Sequence, residues 1–145
     1  MENTHQYEVN LQWNSEQKGT LSSPVLPSKI EVATPPEFPK GMPGIWSPEH
    51  LFVAAVNSCV MTTFLAIAEN SKVEFKSYEC KAIGKVEQVE GKFKVTQVIL
   101  KPKLTVSSSF REDRMKRILE KSEKACLISN SISSEILFQP TVILS

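Results

Sequence analysis

Ser47-Pro-Glu-His-Leu-Phe-Val-Ala-Ala-Val-Asn-Ser-Cys59 is the stretch that organises the rest of the chain. Ser47 is a strong N-cap and Pro48 takes the first helical position with φ already set. Glu49 then places an acid against the positive end of the helix dipole. The residues that follow, Leu51 to Ala68, are apolar on nearly every side, interrupted mainly by Asn57, Ser58, Thr62 and Thr63. They predict a helix of about 22 residues, roughly 33 Å long. Such a helix needs cover all round, and one small domain has too little surface to provide it. A partner subunit is the expected cover.

Upstream, Tyr7, Val9, Leu11 and Trp13 alternate with polar residues, so residues 6–14 read as a strand with one buried face. Gly19 to Ser23 and Ser28 to Ala33 form two further short strands, separated by Pro24 and Pro27. From Thr34 to Ser47, four prolines (Pro35, Pro36, Pro39, Pro43) with Gly41 and Gly44 predict a long loop, a candidate wall or lid. Downstream, Ser77 to Glu90 and Lys92 to Val106 are β-prone runs around Gly91, a predicted hairpin. Pro102 places the second run at an edge, or bends it. Ser109-Phe-Arg-Glu112 has the form of a capping box. It opens a second helix with a core stripe of Met115, Ile118, Leu119, Ala125 and Cys126, and a gap at Ser122. Ile136 to Leu144 closes the chain as a strand, Pro140 again pointing to an edge. The order βββ-α-ββ-α-β predicts an α+β fold, antiparallel sheet against two helices, in one domain over residues 1–145.

At 145 residues the chain can bury about two-thirds of its unfolded surface, enough for a core without staples. Lys+Arg 17 against Asp+Glu 16 leaves +1, which argues against a nucleic-acid partner. No apolar run reaches the roughly 18 residues of a membrane span. Met1-Glu-Asn-Thr-His5 lacks the cationic and apolar segments of a signal peptide, so a cytoplasmic location is expected. The three cysteines, Cys59, Cys80 and Cys126, are separated by 21 and 46 positions, without metal-type spacing. No metal or cofactor is expected. Thiol chemistry or plain core packing remains.

Cys59 lies well inside the central helix, beside the few polar residues of an apolar element. It is either a small core residue or a thiol whose polar neighbours favour the thiolate. Cys126 is either core filler on the second helix or a partner for another thiol, and Cys80 reads as core filler on a strand. Glu49 has a sufficient role as a dipole-satisfying acid. It lies roughly 15 Å from Cys59 along one helix, so it can act on that sulfur only from another subunit. His50 and His5 offer no convincing Cys-His arrangement. Arg111, Arg114 and Arg117 lie among acids, as an exposed charged face.

Two stretches resemble the OsmC/Ohr family of organic hydroperoxide reductases. Residues 47–59 are similar to its helix opening, Asn/Ser-Pro-Glu-x-Leu followed by a cysteine ten residues after the Glu. Lys124-Ala-Cys126-Leu-Ile-Ser-Asn130 resembles its Cys-Pro-x-Ser around a second cysteine, and residues 11–23 are similar to its N-terminal strands. The resemblance implies an intertwined homodimer with two sites at the subunit boundary. It implies that Cys59 is the peroxidatic thiolate and that Cys126 resolves it as a disulfide, re-reduced by an external dithiol. Glu49 would be the acid of the site, supplied by the partner subunit. The substrate would be an organic hydroperoxide. Two positions depart from the pattern. No arginine precedes Arg111, where the family's peroxidases carry one from their N-terminal strands, and Lys18 is the nearest cation. Leu127 replaces the proline after the second cysteine. The missing arginine leaves an alternative open: a non-catalytic relative binding a small hydrophobic ligand at the dimer boundary.

Overall fold

The computed structural model describes residues 3–145; of the segment Met1–His5 expected to lack a leader, Met1 and Glu2 lie outside them. The elements run β1 (Asn10–Ser15), β2 (Lys18–Ser23), β3 (Leu26–Ala33), α1 (Pro48–Asn70), β4 (Ser77–Val89) and β5 (Lys92–Val106). Then follow α2 (Glu112–Lys124), a 3-10 turn at Ser129–Ser131, β6 (Glu135–Phe138) and β7 (Thr141–Leu144). This is the expected α+β order, with the closing strand cut in two at Gln139 and Pro140. The chain divides into two compact units, Met1–Leu51 and Phe52–Ser145.

The first unit is an antiparallel sheet in the order β1-β2-β3. Its loop doubles back on itself rather than standing free. Ala33 N–H donates to the Trp46 carbonyl at 2.8 Å, and Met42 N–H to that of Thr34 at 2.9 Å. Ala33 is the one buried hydrophobic side chain among its described residues, while Leu11, Trp13 and Leu26 are exposed at 65%, 71% and 61%. The sheet has no core of its own.

In the second unit, β4 and β5 pair antiparallel around Glu90 and Gly91, both at positive φ (50° and 79°), as a tight hairpin turn requires. β6 and β7 then pair with β5 in parallel, one after the other. The sheet is therefore mixed, and β5 is a central strand rather than the edge that Pro102 predicted. The register shows why the proline is tolerated. Leu100 pairs with Phe138 and Lys103 with Thr141, so Pro102 faces the break at Gln139 and Pro140. The donor it lacks is missing where the neighbouring strand is interrupted.

Val98, Leu100, Leu104 and Val106 of β5 alternate onto one buried face. Against it α1 lays a single stripe, Val56, Val60, Phe64 and Ala68, one residue per turn. Val56 and Val60 pack with Val98, Leu100 and Cys126. Phe64 and Ala68 pack with Leu104, Val106 and the Met115, Ile118 and Leu119 of α2. Fully burying each large aliphatic or aromatic side chain contributes about 1.5–3 kcal/mol. Part of the rest of α1 stays open: Leu65 is 40% exposed.

Two expectations need correction. α1 is long and apolar enough by composition to cross a membrane, with mean hydropathy 2.0 over its best window. The polar residues within it dilute that character less than a count of uninterrupted residues implied. Ser109 does not cap α2; the N-cap is Arg111, without a side-chain bond, and Ser109 Oγ donates to Ser107 Oγ at 3.1 Å. Ser47 does cap α1, with His50 completing the box where Glu or Gln is usual. His50 N–H donates to Ser47 Oγ at 3.1 Å, and Ser47 N–H to His50 Nδ1 at 3.3 Å.

Gly84 marks how closely β4 approaches α1: a Cβ there would stand 2.4 Å from Cγ2 of Val53. Valine has no rotamer freedom to retreat inside a helix. Gly84→Ala should cost about 1–3 kcal/mol by overpacking, read from urea unfolding. Adding Val53→Ala should recover most of that loss.

Candidate thiol site

Cys59 sits beside the core stripe of α1, half-buried, and packs on the cluster that contains Val56, Val60 and Cys126. Cys126 is fully buried but lies beyond α2, which ends at Lys124, not on the helix stripe as expected. Its N–H donates to the Glu123 carbonyl at 3.1 Å, and its carbonyl accepts from Asn130 N–H at 3.1 Å. The second of these bonds closes a turn over Cys126–Asn130. Inside it, Ser129 N–H points at the Cys126 sulfur at 3.4 Å. The turn places Cys126 in the packed cluster against which Cys59 lies, and both thiols are free.

Their environments pull them apart in acidity. For Cys59, burial is the largest influence and favours the neutral thiol. It is outweighed by the N–H of Ile128, the Cys126 thiol, the Thr63 hydroxyl and the N–H of Leu127, so its pKa falls below the ordinary cysteine value. For Cys126, burial again leads and pushes the thiol up; Ser129 opposes it, and the neighbouring Cys59 adds to it. Of the two, Cys59 is therefore the readier to lose its proton and Cys126 the readier to keep it. Cys80 is pushed up by burial despite help from the Lys101 N–H and Tyr78, consistent with core filler.

The donors come from a place the sequence did not advertise. Of the polar residues around Cys59, Ser58 Oγ donates to the Ala54 carbonyl at 2.7 Å and Asn57 Nδ2 to that of Cys80 at 3.2 Å. Thr62 and Thr63 both donate to the Cys59 carbonyl, at 3.0 and 2.8 Å. Only Thr63 also reaches the sulfur. Among the lowering influences the Ile128 backbone is the largest and that of Leu127 the smallest, and the one sequence hint was the residue after Cys126.

Glu49 stands in the first turn of α1 in the other unit, partly buried, with no side-chain hydrogen bond or ion pair among the described residues. His50 is occupied with Ser47, their side chains 2.7 Å apart, and is no base for Cys59. Lys18 Nζ lies 3.6 Å from a Glu31 carboxylate oxygen, an exposed pair of small worth. Arg111 and Arg117 pair with Asp113 at 3.1 and 3.5 Å on the charged face expected of them. No cluster of three or more His, Cys, Asp or Glu suited to a metal ion occurs among the described residues.

Because thiolate is the form that alkylates, iodoacetamide should modify Cys59 first at pH 7. The rate at Cys59 should rise through a midpoint below that of free cysteine, and those at Cys80 and Cys126 through midpoints above it. Peptide-resolved mass spectrometry across pH checks the order.

The OsmC family model, described as OsmC-like protein, matches residues 41–140. An uncharacterized protein of Methanocaldococcus jannaschii is 34% identical over 90 residues, 62% of this chain but 46% of its own length, so the chain spans about half of that relative. YmaD of Bacillus subtilis is 24% identical over 93% of this chain and 91% of its own. Among solved structures, an OsmC-like protein of unknown function from Vibrio cholerae superposes with TM-score 0.84 at 24% identity, covering 94% of this chain and 99% of that one. An organic hydroperoxide resistance protein from Elizabethkingia anophelis does so with TM-score 0.76 at 20% identity, covering 97% and 99%. The fold is shared with both. With 41–140 spanning α1, the β4–β5 hairpin, α2 and both cysteines of the pair, the chain belongs to the OsmC-like protein family.

Proposed function

We propose that the protein is a cytoplasmic thiol peroxidase that reduces organic hydroperoxides, acting as a homodimer. The observation that carries this is the Cys59–Cys126 pair, with Cys59 favoured as thiolate and Cys126 kept as thiol. Core cysteines with no chemistry have no need of two peptide donors on one sulfur. The Cys59 thiolate attacks the outer oxygen of a hydroperoxide. The O–O bond breaks, the alkoxide leaves and takes up a proton as the alcohol, and Cys59 is oxidised to sulfenic acid. The Cys126 sulfur then attacks the Cys59 sulfur, water departs, and a Cys59–Cys126 disulfide forms. An external dithiol reduces it by exchange. The apolar residues around Cys59 favour a greasy peroxide over a polar one.

The open face of α1 and the coreless first sheet support the dimer, since both leave apolar surface that one chain does not cover. Glu49 then serves a Cys59 on a second copy, as the acid of that site. That it has no side-chain hydrogen bond or ion pair among the described residues fits this role. The pairing of Lys18 with Glu31 favours a second reading, in which no cation activates the thiol and the dimer boundary binds a small apolar ligand without turnover.

Cys59→Ser should reduce consumption of cumene hydroperoxide to the uncatalysed level, while Cys126→Ser should complete one turnover and then over-oxidise at Cys59. Unchanged turnover by the first variant refutes the peroxidase. Loss of peroxide consumption in the wild type, with a titratable apolar ligand, supports the second reading. Sedimentation should report a dimer, and Leu65→Glu on the open face of α1 should shift it toward monomer.

A further inference from the structure

The outer face of the β4–β5 sheet carries an arrangement that the thiol chemistry does not use. Cys80, Ala82 and Leu100 pack on the core side, so Lys81 and Lys101, next to them along the strands, point to the opposite face. The register sets these two lysines directly across from each other on antiparallel strands. Side chains so placed stand about 4.5–5.5 Å apart at Cβ, and like charges there oppose strand pairing. Both lysines are exposed, and neither ammonium has a salt bridge or hydrogen bond among the described residues. The neighbouring pair on the same face, Glu79 and Lys103, is compensated, with Lys103 Nζ 3.1 Å from Glu79 Oε1. On the other side, Ile83 pairs with Ile99 and brings no charge. Glu79, Cys80, Lys81, Lys101 and Lys103 together line a cavity of about 340 Å³.

We propose that Lys81 and Lys101, bordered by Lys103, form a binding site for a small phosphate-bearing molecule on the outer face of the sheet. Two opposed, unpaired ammonium groups weaken the free chain, and a local rule broken in this way points to a functional site. A dianion between them takes a charge-assisted bond from each and turns their repulsion into attraction. Glu79 is the one acid lining the cavity, and Lys103 already compensates its charge. Lysine supplies compact charges on flexible stems, without the planar fork that matches a carboxylate. That suits a tetrahedral phosphate, which accepts from several directions. The cavity is small-molecule in size. A nucleic acid would need a far more extended cationic surface, and the chain carries only +1. The site does not depend on the peroxidase reading, since Cys59 packs on the core side of the same sheet.

The probe is pyrophosphate, titrated into the ¹⁵N-labelled protein and followed by amide shifts. Saturable shifts should centre on residues 79–82 and 100–103. Lys101→Gln should weaken binding roughly tenfold, the scale of one hydrogen bond to a charged group. Lys92→Gln, beside the hairpin turn, should leave the affinity unchanged, which separates a built site from the attraction of any surface lysine. In urea unfolding, pyrophosphate should raise the midpoint of the wild type and leave that of Lys101→Gln almost in place. Without ligand, Lys101→Glu should raise the midpoint, because it sets opposite charges across the two strands. Absence of saturable shifts, shifts spread evenly over the surface lysines, or equal affinities for Lys101→Gln and Lys92→Gln overturns the proposal. So does a Lys101→Glu midpoint at or below that of the wild type, since the repulsion that defines the site would then be missing.

Discussion

The stripe Val56, Val60, Phe64 and Ala68 against the alternating face of β5 is the contact on which the second unit depends. It sets the rotation of α1, and with it the outward angle of every other residue on that helix. Cys59 follows from it directly. One residue before Val60, it falls at the margin of the stripe, close enough to the core to meet Cys126 and open enough to remain half-buried. A rotation of α1 by one residue would bury the sulfur wholly or turn it to the other side. The absence of a side chain at Gly84 lets strand and helix come as close as this arrangement needs.

That placement creates an electrostatic difficulty. Cys59 is well inside α1, so the helix dipole, which acts within the first and last turns, offers its sulfur little. Burial raises the cost of charge there. Within the described chain the solution uses dipoles alone: two peptide N–H groups, a threonine hydroxyl and a thiol. Backbone donors have one advantage over a long cationic side chain. Their orientation is set when the turn folds, so no side-chain entropy is lost in presenting them. Folding of the turn beyond α2 and activation of the thiol become one event.

How much of this was legible depended on whether the cause was local. The start of α1 was legible because Ser47 and Pro48 act on their own neighbours, and the hairpin because Gly91 makes its turn. The parallel pairing of β6 and β7 was not, since it depends on how far the chain has travelled through α2. Pro102 misled for the same reason: its tolerance lies in a strand break contributed by Pro140, from far along the sequence. The heptad-like spacing of Met115, Ile118 and Leu119 was real, but extending it to Cys126 overran the helix end at Lys124. The donors on Cys59 stayed hidden for a deeper reason. Side-chain identity carries no information about which peptide groups a turn leaves unpaired, and here the sole trace was leucine standing where proline was expected.

The opposed acidities also bear on the order of events in the proposed cycle. While Cys59 is a thiolate, its charge is one of the influences holding the proton on Cys126. Two adjacent thiolates would repel, so ionisation of Cys59 makes that of Cys126 harder. Oxidation of Cys59 to sulfenic acid removes that charge. Burial then opposes ionisation of Cys126 without the added repulsion, and the Ser129 N–H is already aimed at its sulfur from 3.4 Å. Reaction of the first thiol thus removes one of the influences that keep the second protonated, with burial still the largest. In the proposed cycle, the coupling between the two sulfurs favours reaction at Cys59 before Cys126.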